Sequence, residues 1–322
     1  MQPASFDMPA FFAARPLLLA PMAGVNDPAF RLICKRMGAA LTFSEMISAA
    51  GMRHKNPKTE ELLLHLDGEA PFAVQLFGSD PCLLAEQAAR LEDRLGDALA
   101  LIDINMACPV RKVAGKGEGA ALMRDPARAA RILGAVVTAT ARPVTVKIRR
   151  GFYCGEETCV EFARMAEAQG AAAVTVHGRF AQQLYQGHSE RAAVGRVAAA
   201  VSVPVIASGD VHSVADVADY FENQGAAAVM AARGAQGNPW LFSHWAGGAS
   251  AGQPTHAERT AVAWEHARLL AQADPHRLVG LRRHVAWYFR GMPHAAALRR
   301  RVQECVSIDD YRDLMDAVAS WN

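Results

Sequence analysis

Asn105 and Cys108 stand three residues apart in Asn105-Met106-Ala107-Cys108-Pro109, directly after the apolar run Leu101-Ile102-Asp103-Ile104. Such a run reads as a buried strand. The motif therefore puts an amide and a thiol where a strand gives way to a loop, the edge at which α/β barrels assemble their chemistry. Pro109 stops the strand from simply continuing. The next segment, Arg111-Lys112 through Lys116-Gly117-Glu118-Gly119, is basic and glycine-rich. A thiol between an amide and a cationic loop is a candidate acid or nucleophile, although a lone cysteine at a strand end is also a common core residue. An acid must keep its proton, whereas a cationic loop favours the thiolate, so residue types alone leave the protonation state open.

Other polar and glycine residues fall at the ends of similar runs. The runs are Leu17–Ala20, Leu41–Ser44, Phe72–Phe77, Val144–Ile148, Ala173–Val176, Val205–Ala207 and Ala228–Ala231. The first ends in Pro21-Met22-Ala23-Gly24 and the second in Ser44-Glu45. The third carries Gln75, and the fifth carries Lys147 with Arg149 just beyond. His177-Gly178-Arg179, Ser208-Gly209-Asp210 and Ala232-Arg233-Gly234 end the last three. One such residue is ordinarily a satisfied structural group. Convergence of nearly all of them on one mouth points to a site. Gly209 and Gly234 let backbone approach a phosphate, and Arg233 supplies a guanidinium for it. A cofactor with one phosphate fits this better than a dinucleotide. Lys147 and Gln75 are placed to face its ring system, and a cation there favours the anionic reduced form of a flavin.

The elements needed to position these residues follow from the spacing. Helical patterns over Pro81–Leu95, Pro126–Ala139, Thr158–Gln169 and Ser213–Gln224 alternate with the strands. Asp80, Asp125 and Ser213 mark helix starts, and Gly38, Gly170 and Gly225 mark stops. Eight strands alternating with helices predict a (β/α)8 TIM barrel followed by a small C-terminal helical bundle. No GxGxxG follows the first strand, which argues against a doubly wound dinucleotide fold. The expected division is a barrel over 1–246, a linker over 247–254 and a helical domain over 255–322.

The chain has 322 residues, 51% hydrophobic and 20% charged, with net charge +2. No apolar run reaches a membrane span, and the N-terminus lacks a basic signal-peptide region. The six cysteines show no CxxC spacing. They read as reduced thiols in a cytoplasmic protein, and no metal site is expected. Seven arginines and no acidic residue lie between Arg277 and Arg301, with Trp287 and Tyr288 among them. They form either a solvated basic face or a phosphate-binding surface for RNA.

The chain resembles the bacterial B-type tRNA-dihydrouridine synthases over nearly its whole length. The resemblance is carried by Leu19-Ala20-Pro21-Met22-Ala23-Gly24, Asn105 through Pro109, Val146-Lys147-Ile148-Arg149, Val176-His177-Gly178-Arg179, Gly234 through Trp240, and Arg283-His284 through Trp287-Tyr288. It implies an enzyme that uses FMN and NADPH to reduce the 5,6 double bond of uridines in the tRNA D-loop. It implies FMN contacts at Pro21, Met22, Ala23, Gln75, Lys147, His177, Ser208, Gly209, Asp210, Ala232 and Arg233. Cys108 matches the proton donor, and Asn105 and Arg179 match residues that hold the uracil. Arg282, Arg283, Arg299 and Arg300 become expected tRNA contacts, and a monomer is expected. Ala107, Ser208 and Ala232 replace the usual glycine, asparagine and glycine. If position 107 needs a positive φ, alanine there costs about 1 kcal/mol. The rival readings are an FMN oxidoreductase acting on a free pyrimidine, and an RNA-binding barrel that has lost catalysis.

Overall fold

The protein is described here by a computed structural model covering residues 6–247 and 252–319. Four residues of the expected linker, 248–251, lie outside the described residues. Eight strands form one all-parallel sheet: β1 (Leu17–Leu19), β2 (Phe43–Ser48), β3 (Phe72–Phe77), β4 (Leu99–Met106), β5 (Val144–Gly151), β6 (Ala173–Phe180), β7 (Val205–Ser208) and β8 (Ala228–Ala231). Their order, β1-β8-β7-β6-β5-β4-β3-β2, brings the first two strands together at the seam. A single bridge, Leu19 to Thr42, closes it. Asn26 reinforces the closure: its Nδ2 donates to Ala20 O at 2.7 Å and Phe43 O at 2.8 Å.

Helices start where side-chain caps were expected. Asp80 accepts from the backbone N of Cys82 and Leu83 at 2.9 and 3.2 Å and opens Pro81–Leu95. Asp125 opens Pro126–Ala139 in the same way, and Ser213 forms a capping box with Asp216. Such caps typically contribute about 1 kcal/mol each. Gly38, Gly170 and Gly225 terminate helices with φ of 101°, 86° and 62°.

Strand two differs from expectation. It runs to Ser48, so Ser44-Glu45 lies inside it and does not mark its end. Both residues are buried, and their polar atoms find partners in place: Ser44 Oγ accepts from Gln75 N at 3.2 Å, and Glu45 accepts from Gly24 N. Strands β4, β5 and β6 also run further than their apolar cores. Asn105, Arg149 and Arg179 are therefore strand residues, held more rigidly than loop residues.

Beyond residue 252 come His256–Ala273, Leu278–Tyr288, Ala295–Val302 and Ile308–Ala319. Their apolar faces share one buried cluster with Ala29, Leu32 and Ile33 of the first long barrel helix, Pro28–Arg36. The helical segment thus packs directly against the barrel. Among the described residues, no helix is long and apolar enough to cross a membrane.

Candidate active site

A cavity of about 520 Å³ opens at the C-terminal ends of the strands. That volume suits a small-molecule site. Pro21, Met22 and Ala23 wall it after β1, Gln75 on β3, and Asn105 and Cys108 at β4. Lys147 enters from β5 and His177 from β6. Ser208, Gly209 and Asp210 come from the end of β7, and Ala232 and Arg233 from the end of β8. The structure thus brings together all but one of the residues expected to hold cofactor or substrate. The exception is Arg179. It is buried behind Asp210, binding that carboxylate through Nη1 and Nη2 at 2.8 Å each. Its remaining donors reach Gln186 O and Gly187 O, and it does not line the cavity.

A buried chain of side chains fixes Cys108. Asp103 accepts from Thr145 Oγ1 at 2.7 Å and from Gln75 Nε2 at 2.6 Å. This orients the Gln75 carbonyl, which accepts from Asn105 Nδ2 at 2.7 Å. Asn105 Oδ1 then takes the backbone N–H of Ala107 and Cys108 at 3.1 and 2.9 Å. From the other side, Ala120 N donates to Cys108 O at 2.9 Å. The glycine-rich loop presses against that carbonyl: a Cβ on Gly119, whose φ is 59°, would lie 2.7 Å from it. Arg149 completes the hold, with Nε on Ala107 O at 2.8 Å and Nη1 on Phe180 O and Leu184 O at 3.0 Å each. Ala107 is not among the non-glycine residues with positive φ, so alanine carries no backbone strain there.

Burial raises the Cys108 thiol pKa above its ordinary value of 9.0. The Val110 backbone and the Arg149 and Lys147 charges oppose the rise without cancelling it. The thiol therefore holds its proton at neutral pH, the state an acid needs. Alkylation of Cys108 by iodoacetamide is expected to keep accelerating above pH 9. A rate that levels off below pH 8, read by mass spectrometry of the labelled peptide, would show a thiolate instead.

Burial also lowers Lys147 to about 8, with Arg149 adding repulsion and Asp103 opposing. Asp103 is pushed up to about 6, again by burial first. Among the described residues Lys147 Nζ has no hydrogen-bond partner, although the residue is only 8% exposed. A buried ammonium without a partner facing a cavity is costly unless a ligand satisfies it. His177 is held neutral by burial and the neighbouring cations. Its Nδ1 accepts from Arg179 N at 3.3 Å, which leaves the ring proton on Nε2. Asp210 takes a φ of 47°, an uncommon conformation that the Arg179 pair and Ser189 N, at 2.8 Å, hold in place. Arg233 meets the same carboxylate at 3.0 Å and stays partly exposed.

The sequence alone assigns no role to four participants. Asp103 was visible as a lone acid in an apolar run, but its partners were not. Met46 and Tyr185 line the cavity without a periodic or motif signal. Tyr185 is exposed at the mouth, near Arg149 and Arg233. Arg149 was noted but given no role.

Residues 18–320 match the family model described as dihydrouridine synthase. The chain belongs to the dihydrouridine synthase family. It is 38% identical over 312 residues to tRNA-dihydrouridine synthase B of Xanthomonas axonopodis pv. citri, covering 94% of this chain and 93% of the relative. Against tRNA-dihydrouridine synthase B of Pseudomonas aeruginosa it is 38% identical over 304 residues, covering 91% and 89%. Family membership makes the chain an oxidoreductase. Among solved structures, histamine dehydrogenase from Rhizobium sp. 4-9 aligns with a TM-score of 0.53 at 13% identity, over 79% of this chain and 49% of that one. This chain spans about half the length of that structure, and at that identity the likeness concerns the barrel fold alone.

Proposed function

We propose that the chain reduces the 5,6 double bond of uridines in the tRNA D-loop, with NADPH as reductant and FMN as carrier. One observation carries this reading: a protonated thiol and an unpartnered buried ammonium, Cys108 and Lys147, share one cavity. When bound, FMN supplies hydride chemistry. The residues fit such a group. Lys147 offers a cation that lacks a protein partner, His177 offers an Nε2–H, and Arg233 offers a guanidinium beside the glycine turns at Gly209 and Gly234. Pro21, Met22 and Ala23 supply a compact wall, and Gln75, Ser208, Asp210 and Ala232 complete the lining. Cys108 gives the proton to the pyrimidine carbon next to the one reduced, and Asn105 positions both the thiol and the base. Arg179 acts here by holding Asp210. A uridine within folded tRNA must be extruded to enter the cavity, at a cost of a few kcal/mol.

The experiment compares acceptors. Purified protein should release FMN on denaturation and, with NADPH, reduce unmodified tRNA far faster than free uridine. Release of FAD would overturn the FMN reading, and equal rates with the two acceptors would return the free-pyrimidine rival.

For tRNA, the likeness to tRNA-dihydrouridine synthases supports an RNA partner, and the arginine helices supply cations. Arg282 Nε is tied to Cys305 O at 2.8 Å and Arg283 Nη1 to Gly24 O at 2.7 Å. Arg299 and Arg300 are exposed and, among the described residues, have no ion-pair partner. They are the better phosphate ligands. Replacing both by glutamine should weaken tRNA binding and lower the slope of log K against log salt by about 1 per arginine lost. An unchanged slope in filter binding would make that face merely solvated.

A further inference from the structure

The loop that follows β1 is gripped by the C-terminal helices. Arg283 Nη1 donates to Gly24 O at 2.7 Å and His284 Nε2 to Val25 O at 3.0 Å. His266 Nε2 meets the Asp27 carboxylate at 3.0 and 3.2 Å, while its Nδ1 lies 3.1 Å from the Tyr288 hydroxyl. Asp27, His266 and His284 are all buried. Asp27 also caps the Pro28–Arg36 helix by accepting from Phe30 N at 2.9 Å. The three side chains lie close enough for a metal ion. Hydrogen bonds join them into a clasp between the β1 loop and the last helices.

The same helix, Leu278–Tyr288, also touches the loop after β8. A Cβ on Gly237, whose φ is 69°, would fall 2.5 Å from the Trp287 carbonyl. Three residues before Gly237 stands Gly234, next to Arg233. One helix of the bundle therefore leans on both Pro21–Gly24 and the β8 turn, the walls assigned above to the flavin ring and its phosphate.

We propose that His284, Arg283 and His266 are positioning residues for the cofactor: the helical segment braces the cavity's β1 wall and so sets flavin affinity, in addition to any grip on RNA. This rests on the FMN reading. His284 is the keystone because it ties the Val25 carbonyl to the helical segment, adding to the local bond from Asp27 N at 2.8 Å. Without it that carbonyl keeps only its local donor, the β1 loop loses its buried tie to the bundle, and the loop has reason to move.

The test uses the full chain with three substitutions. His284→Gln keeps an N–H at the reach of Nε2, His284→Leu removes it, and Arg283→Met removes an exposed contact that folding does not need. FMN dissociation constants and hydrogen exchange of peptides spanning residues 22–27 are measured, the latter on flavin-free protein. His284→Leu should raise the FMN dissociation constant at least tenfold and Arg283→Met several-fold, with His284→Gln near wild type. Faster exchange should be confined to the β1 loop. Wild-type FMN affinity in both the leucine and methionine variants overturns the proposal, as does a glutamine variant no better than leucine. If His284→Leu fails to fold, Arg283→Met decides alone. A wild-type protein without FMN sinks the cofactor reading separately, and unchanged loop exchange in the variants then sinks the brace.

Discussion

Cys108→Ala is expected to slow tRNA reduction by about 10²–10⁴-fold while leaving NADPH oxidation nearly intact. Saturating a carbon–carbon double bond takes a hydride at one carbon and a proton at its neighbour. In the function proposed above, Cys108 supplies that proton. Its thiol is protonated because burial outweighs the nearby cations, and it is oriented because Asn105 and Ala120 hold its backbone on both sides. Alanine removes the proton and little else, since the hold is main-chain. Serine should rescue little, its hydroxyl being a far weaker acid. Anaerobic stopped-flow separates the half-reactions. A variant that loses reduction by NADPH, or reoxidises with tRNA at the wild-type rate, would show that the proton comes from elsewhere.

The second large effect is on stability. Arg31 and Glu69 form an ion pair with side chains 1% and 0% exposed. Arg31 also donates to Asn26 O at 2.8 Å and Leu64 O at 2.6 Å, and its guanidinium lies 5.4 Å from the Phe72 ring centroid. Glu69→Leu strands that guanidinium in a dry site without its counter-charge, so unfolding free energy should fall by about 3–5 kcal/mol. Adding Arg31→Leu should recover part of the loss, because the orphaned charge is what costs most. Urea titration measures this as a cycle. Losses that simply add would contradict it. The effect reaches the site, since Arg31 steadies Asn26, whose amide closes the barrel.

Strand number, helix starts and the cavity-facing residues were legible because each depends on local pattern. Continuous apolar runs define buried parallel strands, and polar residues at their ends have one mouth to share. What stayed illegible depends on partners distant in the chain. Arg179 follows His177 at spacing two, which places both on one face of a strand. Asp210, 31 residues on, nevertheless captures its guanidinium. The order Asp103–Gln75–Asn105 runs through side chains 28 and 30 residues apart, and no periodicity encodes it. Ser44-Glu45 reads as a strand end because polarity normally marks one, whereas Ser44 is satisfied by Gln75 on β3 and Glu45 by Gly24 in the loop after β1. His266 carries no signal and His284 stands out only within the Arg283-His284 motif of the resemblance, because their clasp exists only once the last helices meet the first loop.

The single bridge at the β1–β2 seam has a consequence during synthesis. Leu17–Leu19 leaves the ribosome early, yet its ladder partner is Ala228–Ala231. Roughly 210 residues separate them, and at about 5–20 residues per second β1 waits some 10–40 s for its neighbour. During that interval β1 is held along one edge only, by Leu19 N on Leu41 O and Ala40 N on Leu17 O at 3.0 Å each, and its other edge stays open. The nascent chain can assemble β2 to β7 in order, each beside the last, and pair β1 with β8 only afterwards. Premature termination before residue 228 should therefore leave not a smaller enzyme but an open sheet whose first strand lacks its ladder partner, a natural target for the cell's proteases.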